Sequence, residues 1–277
     1  MRVSIFDQYG ALNSAPVFAA VRAGLDRIGV QHVSMDSSAD VAVIWSMLWA
    51  GRMKPNQQIW ELYRSTGRPV IVVEVGMLRR GSTWKLGLNG TGITADYGQE
   101  LIPNRASSLG LTSKPWTNAG YNIVIACQRS DSEQWVGQPP TVAWLTETAR
   151  KIRQHTDKPI VIRPHPRQRI ADIPGCVIES PRPIPGTYDS FDYDQCLKTT
   201  WAVINHNSGP GSQAVLNGVP AFVGSSSLAA PVSNLDLSQI ENPLRPDRTQ
   251  WIEQLSHTEW TTTEIQSGLP LKRLLLP

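Results

Sequence analysis

Short runs of valine and isoleucine, separated by segments with helical periodicity, constrain the fold of this chain more than any other feature. Such runs stand at 40–45 ("DVAVIW"), 68–76 ("RPVIVVEVG"), 121–127 ("YNIVIAC") and 158–166 ("KPIVIRPHP"). A strand that is buried on both faces reads as a continuous apolar run, and this is typical of parallel sheets covered by helices. The sequence therefore predicts an α/β protein.

The alternation of strands and helices occurs twice, once in each half of the chain. An irregular stretch at 77–118, rich in Gly, Ser, Thr and Asn, separates the halves. We therefore predict two facing, doubly wound, Rossmann-like domains. Their predicted boundaries are 1–117 for an acceptor-binding domain, 118–248 for a donor-binding domain, and 249–277 for C-terminal helices that pack back onto the first domain.

Composition excludes several classes of protein. The longest apolar run, residues 41–50, is about half of the ~18–20 residues that a membrane-spanning helix needs. The first ten residues lack the apolar region of a signal peptide. The three cysteines contain no Cys-x-x-Cys pair, which argues against a disulfide framework or a zinc site. We expect a monomeric, cytoplasmic protein with no membrane partner.

Three polar segments directly follow predicted strands of the second half: 127–135, 163–169 and 205–213. The third, "NHNSGPGSQ", leads into a helix, and a glycine-rich turn at a helix N-terminus suits a phosphate. The second, "RPHPRQR", supplies cations. A capped turn and a buried structural histidine are the alternatives for these two motifs. The predicted diphosphate- and nucleotide-binding residues are Gln128, Arg163, His165, Arg167, His206, Ser208, Gly209, Gly211, Ser212 and Gln213.

The stretch "NSGPGSQAVLNGVPAFV" resembles the donor-binding segment of GT-B glycosyltransferases and of capsule-synthesis enzymes. The shared pattern is met by Ser208, Gly211, Ala214, Gly218 and Pro220. Gln213 stands where that family usually has a glutamate that binds the ribose, and an amide can also bond a hydroxyl. "RPHPR" resembles the His-Pro motif that holds the donor's phosphates. The resemblance implies a GT-B fold and a nucleotide-sugar donor.

Nearly the whole chain is also similar to a family of glycosyltransferases of tailed phages, related to DNA β-glucosyltransferases. The similar stretches include "DQYGALNSAPVFAA", "VIVVEVGMLRRGSTWKLGLNG" and "PDRTQWIEQLSHTEWTTTEIQSGLPLKR". This resemblance implies transfer of glucose from UDP-glucose to a hydroxymethylated pyrimidine, such as 5-hydroxymethylcytosine, in duplex DNA. The implied partners are DNA and a UDP-sugar.

The stretch "LRRGSTWK" (78–85) fits a DNA partner, because it combines cations with an aromatic ring. Lys and Arg can neutralise phosphates, and a tryptophan can stack on a base. The alternative is a solvated loop whose tryptophan is anchored in the core. The candidate DNA-binding residues are Arg79, Arg80, Trp84 and Lys85.

An inverting transfer needs a general base that takes the proton of the attacking hydroxyl. Glu74 is the first candidate, because an acid inside "VIVVEVG" is costly to bury without a partner or a role. Alternatively, Glu74 pairs with Arg79 or Arg80. Asp7 and Asp96 are further candidates. No Asp-x-Asp motif of the metal-dependent transferases occurs, so we expect no metal and no bound cofactor besides the donor.

Three rival functions remain open from the sequence. The first is a capsule-type transferase with a CMP-activated acid sugar or a CDP-polyol as its donor. The second is a sugar-nucleotide 2-epimerase, for which the chain is short. The third is a non-catalytic DNA-binding protein of the same fold, which would bind DNA with a steep salt dependence and ignore UDP-sugars.

Overall fold

A computed structural model describes residues 1–187 and 189–276. Tyr188, inside the predicted donor domain, and Pro277, the last residue of the predicted C-terminal segment, lie outside the described residues. The strands are β1 (Arg2–Ile5), β2 (Gln31–Ser34), β3 (Val41–Trp45), β4 (Val70–Val75), β5 (Thr83–Leu88), β6 (Asn122–Ala126), β7 (Ile160–Arg163), β8 (Val177–Ile178), β9 (Thr200–Asn205), β10 (Ala221–Val223) and β11 (Glu259–Thr261). The helices are α1 (Ala15–Arg27), α2 (Asn56–Ser65), α3 (Arg105–Ser108), α4 (Thr141–Arg153), α5 (Tyr193–Cys196), α6 (Gly209–Leu216), α7 (Thr249–Ser256), α8 (Thr262–Gln266) and α9 (Leu269–Leu275).

The described residues form two compact units. Unit 1 contains Met1–Leu109, Asp131–Glu133 and the chain from Glu253 onwards, and unit 2 contains Gly110–Ser130 and Gln134–Ile252. Two stretches lie in unit 2 although the predicted boundaries place them elsewhere: residues 110–117 and 249–252. Among the described residues, no helix has the length and apolar character needed to cross a membrane.

In its described part, unit 1 is built on a six-stranded sheet of order β11-β5-β4-β3-β1-β2. Strands β2, β1, β3 and β4 are parallel, and β5 and β11 extend the sheet in antiparallel fashion. One face packs under α1, α8 and α9, and the other carries Ile44, Val72 and Tyr63 in a second apolar cluster. The continuous Val/Ile runs of β3 and β4 are thus explained by burial on both faces.

The prediction that residues 77–118 are irregular is wrong in part. Residues Thr83–Leu88 form β5, which pairs with β4 on one side and with β11 on the other. The segment also contains the short helix α3, whose Arg105 is buried. The Arg105 guanidinium donates to the carbonyls of Ser256 (3.0 Å) and Glu259 (2.7 Å), lies over the Trp260 ring and pairs with Glu264. Arg105 therefore ties this segment to the C-terminal part of unit 1.

The described part of unit 2 contains a five-stranded, fully parallel sheet of order β10-β9-β6-β7-β8. From β6 the chain proceeds outward to β7 and β8, and then returns to the other side of β6 to form β9 and β10. This reversal places a topological switch point between β6 and β9. Ligands of open α/β sheets bind at the carboxyl ends of the strands beside such a point.

Candidate functional site

At the carboxyl edge of the unit 2 sheet, the loops after β6, β7 and β9 are joined by amide side chains. Gln128 Nε2 donates to Asn207 Oδ1 (2.8 Å), and the backbone N–H of Asn207 donates to Gln128 Oε1 (3.1 Å). Gln168 Nε2 donates to Ser130 Oγ (3.3 Å), which links the loop after β7 to the loop after β6. The structure therefore brings the three predicted segments together at the switch point.

Ser208 stands at the N-cap position of α6, but its hydroxyl bonds to no helix N–H among the described residues. Instead, Ser208 Oγ accepts a hydrogen bond from Asn205 Nδ2 (2.9 Å). The fully buried Asn205 also donates to the carbonyl of Ala126 at the end of β6 (2.9 Å). Because Ser208 Oγ already accepts one bond, its own hydrogen can be donated to an anion at the positive end of α6.

The remaining residues of this segment have different surroundings. A Cβ on Gly211 would lie 2.9 Å from Val223 Cγ1. Gly211 therefore allows α6 to pack on β10. Ser212 is buried, and Gln213 is half-buried within α6. Gly209 begins the helix next to Ser208.

Arg163, predicted to bind phosphate, is a buried structural residue. Only 3% of its side chain is exposed, and its guanidinium pairs with Asp192 and with Glu179 Oε1 (3.2 Å). Burial acts to raise the pKa of Asp192, but hydrogen bonds from the Arg182 backbone and the Arg163 side chain outweigh it and lower that pKa. The positive charge of Arg163 is thus balanced within the protein.

His165 and Arg167 lie on the loop after β7. His165 Nδ1 accepts the backbone N–H of Arg167 (3.1 Å), so the neutral ring carries its proton on Nε2, a donor that suits an anion. The exposed Arg167 pairs with Asp189 Oδ1 (2.8 Å). Two of the predicted phosphate ligands, Arg163 and Arg167, therefore already face carboxylates.

His206 follows β9 and packs edge-on against the Trp135 ring, with 5.3 Å between ring centroids. Burial lowers the pKa of His206, and a hydrogen bond to the Gln134 backbone offsets this only in part. The ring is therefore uncharged at neutral pH. In this state His206 shapes the loop and does not supply a positive charge.

In unit 1, the three predicted carboxylates lie in different places. Glu74 is half-buried near the carboxyl end of β4, where it accepts the Ser46 hydroxyl (2.6 Å) instead of pairing with Arg79 or Arg80 as the alternative reading had it. Asp7 follows β1 and pairs with Arg22. Asp96 pairs with Leu88, which lies opposite Ile71 at the amino end of β4. Asp96 therefore lies toward the opposite end of β4 from Glu74.

Residues 78–85 do not form a single loop, because Thr83–Leu88 form β5, and Trp84 is anchored in the core as the alternative proposed. Trp84 lies in β5, is 7% exposed and packs against Trp45, with 5.6 Å between ring centroids. Its ring is therefore held in the core and cannot stack on a base. Lys85 lies in the same strand, paired with Glu74 on one side and Glu259 on the other. Arg79 and Arg80 are exposed, on the turn that leads into β5.

Sequence analysis missed Asn205, Asn207 and Asp192. The two asparagines flank His206, and their position at the end of a predicted strand could have marked them as candidate site residues. Asp192 lies 29 residues after Arg163, in a segment without periodicity, so no spacing predicted their contact. Within residues 1–187 and 189–276, no group of three or more His, Cys, Asp or Glu side chains is placed to hold a metal ion.

Replacing Arg163 tests its structural role. Arg163→Met leaves the buried Asp192 without one of its partners, and breaking a buried pair costs about 3–5 kcal/mol of unfolding free energy. Urea denaturation measures this loss, with Arg167→Met as control, since an exposed pair contributes roughly 0–1 kcal/mol. Unchanged stability of the Arg163 variant, together with lost nucleotide binding, would instead show a ligand-binding arginine.

Replacing Lys85 tests its burial. Burial lowers the pKa of Lys85 below the ordinary value of 10.5, although Glu259 and Glu74 act to raise it. Between the lowered pKa and 10.5, the unfolded chain holds a proton that the folded chain has released, so stability rises with pH. The stability of the wild type relative to Lys85→Met, measured by urea titration, should therefore rise as the pH is raised toward 10.5. A difference that stays constant with pH would contradict this burial.

The sequence matches no protein-family model, and no curated protein sequence matches it. Its fold is similar to two solved structures of KpsC from Thermosulfurimonas dismutans. One is a β-Kdo 2,4-transferase, with 12% identity and a TM-score of 0.55 over 93% of this chain and 90% of that chain. The other is a β-Kdo 2,7-transferase, with 14% identity and a TM-score of 0.53 over 97% of this chain and 98% of that chain.

At these identities the likeness concerns the fold. The protein is a mixed α/β chain with Rossmann-like, largely parallel sheets, and its fold is similar to that of the two transferases over at least 90% of each chain.

Proposed function

We propose that this protein is a GT-B-type glycosyltransferase that takes its sugar from a nucleotide-activated donor. The observation that carries this proposal is the arrangement of Ser208 at the switch point of the unit 2 sheet. The Ser208 hydroxyl accepts a hydrogen bond from Asn205 and does not cap a helix N–H of the described residues, although Ser208 stands at the positive end of α6. A hydroxyl donor and a helix N-terminus at one point suit the phosphate of a nucleotide.

Two of the three arginines of residues 163–169 already pair with carboxylates, which lowers the positive charge available to a diphosphate, while the exposed Arg169 lies on the same loop. Arg163 is neutralised by Asp192 and Glu179, and Arg167 faces Asp189. A diphosphate leaving group carries more charge than a monophosphate and needs more cationic partners. We therefore expect a monophosphate leaving group, and the proposed donor is a CMP-activated acid sugar, the capsule-type alternative. The two structural neighbours are named as transferases of Kdo, an acid sugar.

The proposed reaction is a displacement at the anomeric carbon of the donor. The acceptor oxygen attacks the anomeric carbon and forms the new C–O bond, while the bond from that carbon to the phosphate oxygen breaks. The electron pair leaves with CMP, whose phosphate gains a negative charge. The Ser208 hydroxyl, the positive end of α6 and His165 Nε2–H stabilise that charge. Glu74 is the proposed acceptor of the hydroxyl proton.

Transfer of glucose from UDP-glucose to 5-hydroxymethylcytosine in DNA is a second candidate. Its support is the sequence likeness to the phage family, together with the exposed pair Arg79 and Arg80 on the turn before β5. The buried Trp84 and the strand position of Lys85 remove half of the predicted DNA contacts. This candidate therefore ranks below the CMP-sugar donor.

A donor panel tests both candidates. CMP-Kdo, CMP-sialic acid and UDP-glucose are incubated with the protein, in one arm with saccharide acceptors and in another with DNA containing 5-hydroxymethylcytosine. We expect acceptor-dependent CMP release and a mass increase of the saccharide. Ser208→Ala should lower turnover about 10²-fold or more, the usual effect of losing one charge-stabilising donor.

Three other outcomes of the donor panel would change the assignment. Hexose on the modified base, with UDP release, would replace the CMP-sugar proposal with the DNA candidate. Release of nucleotide without an acceptor would favour the epimerase or a hydrolase. No turnover of any donor, in a protein that melts cooperatively, would overturn the assignment as a glycosyltransferase.

A further inference from the structure

A row of four polar side chains crosses one face of the unit 1 sheet near the carboxyl end of β4. Glu74 on β4 lies directly opposite Lys85 on β5, and Lys85 lies directly opposite Glu259 on β11. Ser46 directly follows β3 and donates its hydroxyl to Glu74 Oε2 (2.6 Å). Directly paired residues of neighbouring strands point to the same face, so the row is continuous from Ser46 to Glu259.

This row adjoins buried apolar side chains. On the same face, Ile44 and Val72 precede Ser46 and Glu74 by two residues, and both are fully buried. Polar groups among buried apolar ones are costly unless they are hydrogen-bonded. Each polar residue of the row therefore needs a stabilising partner or a functional role. The two glutamates differ in this respect.

Glu259 is a structural carboxylate. It is fully buried, and three donors of the described chain surround its oxygens: the N–H of Met77 (2.7 Å), the N–H of Leu78 (3.0 Å) and the Thr83 hydroxyl (2.8 Å). These bonds fix the turn that follows β4. A carboxylate so fully bonded and enclosed is not placed to exchange a proton with a substrate.

Glu74 is held in a different way. It is only half-buried, and its Oε1 accepts the N–H of the adjacent Val75 (3.1 Å), while its Oε2 accepts the Ser46 hydroxyl. Glu74 therefore combines a fixed orientation with partial exposure. This combination suits a base that must meet a substrate hydroxyl.

Ser46 holds Glu74 from a strained backbone. Its φ is +65°, a left-handed conformation that glycine adopts without strain and other residues rarely adopt. The Ser46 backbone N–H donates to the Val73 carbonyl (2.7 Å), and Ser46 Oγ accepts the N–H of Leu48 (3.1 Å). With its acceptor side occupied, the hydroxyl directs its hydrogen to Glu74. Backbone strain of this kind concentrates at functional sites.

We infer that Ser46 is a positioning residue that orients the Glu74 carboxylate to take the proton of the acceptor hydroxyl. This inference rests on the proposed function, in which Glu74 is the base. The backbone at this position favours glycine, whereas the hydrogen bond to Glu74 requires a hydroxyl. Serine supplies the hydroxyl but strains the backbone. A loss of local stability of this kind is expected where a residue is kept for its function.

Ser46→Gly separates the two requirements, because it removes the hydroxyl and relieves the positive φ. Asn104→Gly is the matched control: Asn104 has a φ of +59° at the N-cap of α3 and stands outside the row. Turnover and KM for the CMP-sugar donor are measured for the wild type, both glycine variants, Glu74→Gln and the double variant Ser46→Gly/Glu74→Gln. Thermal melts of each variant verify folding.

We expect Ser46→Gly to melt within a few degrees of the wild type, to keep its donor KM and to lose about 10- to 100-fold in kcat, as a misplaced catalytic group does. Asn104→Gly should keep the wild-type kcat. Glu74→Gln should lose about 10²–10⁴-fold, the contribution of a general base. The double variant should be no slower than Glu74→Gln alone, because Ser46 acts through Glu74.

Two results would overturn the inference while leaving the proposed function intact: wild-type kcat in Ser46→Gly, or independent losses that multiply in the double variant. Full activity of Glu74→Gln would equally overturn it, because the base would lie elsewhere. If the wild type releases no nucleotide from any donor, the proposed function itself fails, and the inference fails with it.

Discussion

The candidate site depends on the side chain of Asn205, which joins the two central strands of the unit 2 sheet to the first residue of α6. One amide nitrogen donates to the end of β6 and to Ser208 Oγ. Because parallel strands end at the same edge, a short amide can span the switch point there. This contact orients a hydroxyl beside a helix N-terminus without any positive side chain.

Charge balance then sets the chemistry that this edge can support. A cluster of arginines at a strand end reads in the sequence as a phosphate site, but Arg163 is neutralised inside the fold by Asp192 and Glu179. What remains at the edge combines amides, a hydroxyl, a histidine donor and the positive end of α6 with the exposed Arg169. Preorganised dipoles of this kind stabilise a developing charge without a large net charge.

The buried strands were predictable because their environment is uniform: β3, β4 and β6 are covered on both faces, so their apolar runs follow directly from burial. Strand β5 was not predictable, because its sequence "TWKLGL" mixes a lysine and a glycine with apolar residues. Its partner strand β11 is also far away in the chain. The segments of the donor site were predicted from strand ends and glycine spacing. The partners of Arg163, Trp84 and Lys85 come from distant segments, and no local pattern carries that information.

The account is tested most directly by locating nucleotide binding within the fold. Backbone amide NMR spectra of the labelled protein, titrated with CMP, would show which amides respond. We expect saturable shifts of the Ser208, Gly209 and His165 amides with CMP, and weaker shifts with UDP at equal concentration. The amides of Arg79 and Arg80 should not shift. Shifts confined to unit 1, or no saturable shift at the start of α6, would contradict a donor site at this edge.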